Sequence, residues 1–135
     1  MKYKRSPITA IRKLISAPFI YVMIIPLLLL DIGLEVYHSI CFRLYGLSLI
    51  DRWDYIKVDR YKLSYLGPMD KINCAYCGYA NGLLNYANAI VAQTEKYWCG
   101  VKHKKTKGFK ESAHHKDFVP YGDEKAFRRR YIRER

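Results

Sequence analysis

Two short runs decide how this chain folds: N-C-A-Y-C-G-Y-A-N-G at Asn73–Gly82 and E-K-Y-W-C-G-V-K-H at Glu95–His103. The first contains the C-x-x-C pair Cys74 and Cys77, and the second places Cys99 and His103 at C-x3-H. Between them Leu83, Leu84, Ala87, Ile90, Val91 and Thr94 recur at helical spacing, which predicts an amphipathic helix from Asn81 to about Tyr97. Three soft thiolates and one imidazole satisfy a tetrahedral ion and leave no coordination position open. A helix of about 16 residues spans roughly 24 Å, so the two pairs meet on one ion only if the chain folds back at one end. Gly78 and Gly100, each just after a pair, supply backbone freedom for such a reversal. The expected site is Cys74, Cys77, Cys99 and His103 holding zinc, with iron the alternative that ligand softness leaves open. His114-His115 is the other imidazole pair and the substitute ligand source should His103 not serve.

Two other readings compete for these cysteines. A Cys is often a small buried hydrophobe, which suits the isolated Cys41 better than three Cys in compact motifs. A C-x-x-C ahead of a helix is also a dithiol redox motif, because a helix N-terminus lowers thiol pKa. No βαβ pattern precedes Cys74, so a thioredoxin-like context is missing, and metal is the leading reading.

Working outward, Leu14–Leu30 is L-I-S-A-P-F-I-Y-V-M-I-I-P-L-L-L-L, 17 residues without a charge. It follows the basic residues Lys2, Lys4, Arg5, Arg12 and Lys13. No small-x-small cleavage site follows, so the segment reads as a retained membrane element and not as a secretory signal. Pro26 in its middle predicts a kink or a break. One arrangement is a single tilted span; the other is a re-entrant hairpin bending at Pro26 and returning to about Leu47. Both flanks are basic, and free thiols with metal knuckles suit a reducing compartment, so both flanks read as cytoplasmic. That favours a hairpin or interfacial anchor.

Asp31, Glu35, His38 and Phe42 share one helical face. They fit a helix-borne metal or proton site, although a face turned to water or head groups accounts for them without one. Arg43 snorkels at the boundary in either case. Beyond Asp51, Trp53, Tyr55, Tyr61 and Tyr65 alternate with Arg52, Lys57, Arg60 and Lys62, as in an interfacial belt. Tyr55–Asp59 predicts a short strand or extended crossing. Gly67-Pro68 is a turn. After His103 the basic segment Lys104–Lys110 precedes a short helix that Asp123 would cap.

With 24 basic against 12 acidic residues the formal charge is +12, which calls for an anionic neighbour. Thirteen Tyr among 135 residues lean toward a membrane interface, where half-wet aromatics settle. Beside an apolar anchor, lipid head groups are a better neighbour than nucleic acid. The organisation that follows is mainly α: a membrane anchor over 1–50, an interfacial connector over 51–72, a metal-stapled helical domain over 73–103, and a basic tail over 104–135. No nucleotide loop, nucleophile elbow or H-E-x-x-H occurs, and a closed site argues for a structural role.

The runs D-R-Y-K-L-S-Y-L, K-I-N-C-A-Y-C-G-Y-A-N-G and T-E-K-Y-W-C-G-V-K-H, with F-V-P-Y-G-D at Phe118–Asp123, resemble the signature of a family of small, uncharacterised bacterial membrane proteins. Gly100 stands here where that family usually has Pro. The resemblance implies a bacterial inner-membrane protein whose Cys and His are signature residues, and it implies no activity. The function expected is a non-enzymatic membrane protein, its metal-stapled part cytoplasmic and used in interaction or assembly with lipid and a membrane-protein partner. A membrane-bound thiol redox or electron-transfer protein is the alternative.

Overall fold

The computed structural model describes residues 7–132, and the basic Lys2, Lys4 and Arg5 lie outside them. The chain is mainly helical, without a strand among the described residues. It divides into two compact units, residues 1–87 and 88–135.

In the first unit the apolar run makes α1 (Pro7–Val22) and α2 (Ile24–Tyr45). Pro26 has no N–H to offer the carbonyl one turn earlier, and the helix is disturbed there. Met23 is the one residue between the helices; its N–H bonds Ile20 O at 3.2 Å, a tighter turn than α. Its backbone nonetheless stays right-handed, at φ −64° and ψ −11°. Proline therefore kinks the helix and does not reverse it, so the expected re-entrant hairpin is not formed at this point. Together Ile11–Tyr45 are long and apolar enough to cross a membrane. Gly46 ends α2 at φ 68°, with Leu47 N–H on Phe42 O and Gly46 N–H on Arg43 O, a Schellman closure.

The connector holds two short 3-10 turns, Arg52–Asp54 and Arg60–Lys62, with irregular chain between them. The strand or extended crossing expected at Tyr55–Asp59 is not a strand, and its two ends, Tyr55 and Asp59, are right-handed, at φ −103°, ψ −42° and φ −93°, ψ −16°. Then α3 (Pro68–Trp98) begins at a proline in the first helical position, with Asp70 in the first turn. The helix thus starts thirteen residues before Asn81 and absorbs the C-x-x-C run whole.

Glycine explains how that run packs. Within α3, a Cβ at Gly78 would lie 2.6 Å from Lys57 O, and one at Gly82 would lie 2.7 Å from both Ile56 Cα and Tyr55 O. The pair clears a smooth track for the connector backbone. Gly78 is therefore a packing glycine inside a helix and not the reversal point expected. Contacts set the register: Tyr21 hydroxyl donates to Asn73, Tyr79 hydroxyl to Asp31, and Tyr86 meets His38. Hence α3 runs parallel to α1 and α2, and the connector descends between their levels.

In the second unit, residues 88–135, the end of α3 leads into a loop fold. Val101 and Val119 form an isolated parallel bridge, with Val119 N–H on Gly100 O and Lys102 N–H on Val119 O, both 2.8 Å. Val119 and its neighbour Phe118 are buried. Residues Ala113–Asp117 make a 3-10 turn, and α4 (Glu124–Tyr131) starts at Asp123, whose carboxylate accepts from Ala126 N–H at 2.9 Å. Arg130 reaches back to the Asp117 carbonyl, tying α4 to the 3-10 turn.

Candidate metal centre

Three segments converge on Glu95. It sits in the last turn of α3, which Cys99 N–H extends by bonding Glu95 O at 2.7 Å. The Val101–Val119 bridge then fixes His103 just downstream of one partner and His114-His115 just upstream of the other. The 3-10 turn orients those two: His115 N–H bonds Ser112 O, and Phe118 N–H bonds His115 O, each at 3.0 Å.

At the centre, His114 Nε2 is 2.7 Å from Glu95 Oε2, and His115 Nε2 is 3.1 Å from both carboxylate oxygens. His103 Nε2 is 3.9 Å from Glu95 Oε1. One ligand atom each from Glu95, His103 and His115 lies within 4.8 Å of the others. An ion with bonds of 2.0–2.2 Å would draw tetrahedral ligand atoms to about 3.4 Å of each other. The side chain with room to make that adjustment is His103, 63 % exposed, while His115 at 4 % is held in place. His115 stacks on Phe118 with centroids 4.9 Å apart, and its buried Nδ1 has no hydrogen-bond partner. A packed imidazole with an unused nitrogen is an unusual expense of polar burial.

Burial alone would raise the Glu95 pKa, but hydrogen bonds from His114 and His115 outweigh it and the value lies below the ordinary 4.5. The carboxylate is thus ionised and flanked by imidazole nitrogens, an oxygen-and-nitrogen donor set of the kind that binds metal ions.

The cysteines are placed elsewhere. Cys74 and Cys77 lie in the early turns of α3, Cys74 half-buried and Cys77 exposed, while Cys99 follows its last residue. The unbroken helix between the two groups is about 30 Å long at 1.5 Å per residue. The structure does not bring Cys74 and Cys77 to Cys99 and His103, because the fold-back expected at Gly78 does not occur. Of the four expected ligands, His103 alone joins the Glu95 group. His115, expected only as a substitute, is its most rigid member. Glu95 was in view in E-K-Y-W-C-G-V-K-H; the signal was E-x3-C on one helical face, running straight into x3-H.

A second polar cluster stands in the first unit. Asp31 and His38 are buried on the inner face of α2 with Leu27, Leu34 and Phe42. Arg52 donates to both Asp31 oxygens, through Nη1 and at 2.6 Å through Nη2, and to Glu35 at 3.1 Å. Tyr79 hydroxyl adds a bond of 2.7 Å to Asp31. Ile50 N–H donates to His38 Nε2 at 3.0 Å, so a neutral ring carries its proton on Nδ1 and gives it to Tyr86 Oη at 3.0 Å. Hydrogen bonding to Asp31 raises the Arg52 pKa still further; burial pushes Tyr79 and Tyr86 up to about 12, with Asp31 and Glu35 respectively adding to it. Every strong group in this cluster has a partner, which is how a clamp is built. The acidic face of α2 is thus taken up by Arg52, Tyr79 and Tyr86, with the Glu35 side chain still 40 % exposed.

Compared with known proteins, the chain matches no family model, no curated protein and no solved structure.

Proposed function

We propose that this is a non-enzymatic membrane-associated protein of the bacterial inner membrane type, whose second unit is a zinc-stapled module for interaction or assembly. The observation that carries the reading is the convergence of Glu95, His103 and His115 from three separate segments onto one point. An ion there joins the end of α3, the loop at His103 and the turn at His115. Residues 99–120 bury little apolar surface of their own, since Phe118 and Val119 are their only buried apolar side chains. Metal binding supplies folding free energy directly, on the order of 10 kcal/mol in small zinc peptides. His114, bonded to the far oxygen of Glu95, orients the carboxylate toward the ion. Water completes the coordination.

The basic balance and the four free cysteines support a cytoplasmic setting for this unit, facing anionic head groups or a membrane-protein partner. Metal analysis of the purified protein tests the site. About one equivalent of zinc is expected in the wild type, with loss in Glu95→Gln, His103→Ala and His115→Ala and retention in Cys74→Ser and Cys77→Ser. Loss in the Cys variants and retention in the His115 variant would overturn it. A thiol redox reading draws on one observation, that α3 places Cys74 and Cys77 on neighbouring turns of one face. Reversible oxidation of that pair in a zinc-free wild type would favour it.

A further inference from the structure

The apolar segment has the length of a membrane span, but its neighbours in the first unit decide how it meets the bilayer. Asn73 stands at the level of Tyr21, Tyr79 at that of Asp31, and Tyr86 at that of His38. The connector therefore returns, between Lys57 at Gly78 and Pro68 below Asn73, along the length of chain from Asp31 back to Tyr21. On that return Lys57, Asp59, Arg60 and Lys62 are all exposed. Charged residues open to solvent thus lie beside the middle of the apolar run, where a spanning helix would need hydrocarbon.

What remains uncovered is short. From Met23 back to Lys13 is ten residues, about 15 Å of helix, half of a hydrocarbon core of roughly 30 Å. A perpendicular α1 starting from the level of Tyr21 would leave Arg12 and Lys13 near the midplane. On α2, by contrast, the face opposite the Asp31–His38 cluster is apolar from Ile25 to Ile40, and the exposed Arg43 follows on it in the last turn, where it reaches the head groups. Ile25, Leu29, Val36 and Ile40 fall at i, i+4, i+11 and i+15 on this face, each more than half exposed.

We infer that the anchor is monotopic. The helix α2 lies in the plane of one leaflet with this stripe in the acyl boundary, and its clamp of Asp31, Arg52, Tyr79 and His38 faces the aqueous side. The occupant of the stripe is a bilayer surface bearing anionic head groups, which the +12 chain and its basic N-terminal flank complement. Both ends of α1–α2 then stay on one side of the membrane. This rests on the membrane reading above and goes beyond it by replacing the span.

Depth-dependent fluorescence quenching separates the arrangements. The full-length protein with Trp53→Phe and Trp98→Phe receives a single tryptophan by Ile25→Trp, Leu29→Trp, Val36→Trp or Ile40→Trp. Each is bound to phosphatidylcholine–phosphatidylglycerol vesicles with bromines at shallow, middle or deep acyl positions. All four positions are exposed in the fold, so each tolerates the ring. An in-plane helix gives the same shallow depth at all four. A helix crossing the bilayer spreads them over a large part of the roughly 22 Å between the first and last, and that graded depth would overturn the inference while leaving membrane binding intact. No quenching at any position would overturn the membrane reading itself.

Discussion

Glu95 is one carboxylate with imidazoles of three different residues around it, and its protonation is coupled to the stability of the second unit. Its folded pKa is lower than its ordinary value of 4.5, so its contribution is fully present above that value. The contribution is lost as pH falls below 4.5 through the folded pKa. With zinc chelated, protease resistance of residues 95–118 should therefore decline on acidification through this range, and Glu95→Gln should flatten the decline. An unchanged profile in the variant would remove Glu95 from the account. Arg52 plays the corresponding part in the first unit. Its side chain is 27 % exposed and that of Asp31 11 %, so the pair is partly screened. Arg52→Leu leaves two carboxylates facing each other without their cation and should cost about 3 kcal/mol in denaturant unfolding, the low end for breaking a buried pair. Asp31, Glu35 and His38 were legible as one face in the sequence because helical spacing is local. Their partners were not, since Arg52, Tyr79 and Tyr86 reach them from sequence separations of 17 to 48 residues.

Helix α3 shows how a local motif can mislead about an element. C-A-Y-C-G read as a knuckle because a Gly after a Cys pair commonly marks a turn. Here Gly78 and Gly82 are four apart on one helical face, and what they accommodate is the connector backbone from Tyr55 to Lys57. The N-terminal signal was present all the same, in Pro68 with Asp70 two residues on. Two terms oppose one another when such a glycine becomes alanine. Helix propensity gains up to about 1 kcal/mol, while overpacking costs roughly 1–3 kcal/mol. At Gly78 and Gly82 the obstruction is backbone, which cannot rotate away, so both Gly→Ala changes should destabilise the first unit. Gly33 in α2 meets nothing within 4 Å, and Gly33→Ala should stabilise by up to about 1 kcal/mol. Equal effects at the three positions in thermal unfolding would contradict the packing described. The kink at Met23 and the cap at Asp123 were both readable, because proline chemistry and capping act within one turn.

Across the whole molecule, a formal charge of +12, an apolar N-terminal segment and a cluster of imidazoles point the same way: toward a membrane surface and a bound ion. Composition conveyed the first two, because charge and hydropathy sum over residues without reference to contacts. The ligand set needed tertiary structure, since Glu95 and His115 are 20 residues apart and meet only through the Val101–Val119 bridge. Soft-ligand chemistry had pointed to thiolates; the fold offers nitrogen and oxygen. These two ligand sets differ in bond length to zinc, about 2.3 Å for sulfur against 2.0–2.2 Å for imidazole and carboxylate. Zinc-edge X-ray absorption of the full-length protein loaded with one equivalent of zinc reads that difference directly. The predicted result is a first shell of nitrogen and oxygen alone, with imidazole outer-shell scattering from two rings. A shell dominated by sulfur at about 2.3 Å would contradict the Glu95–His103–His115 centre and return the ion to Cys74, Cys77 and Cys99.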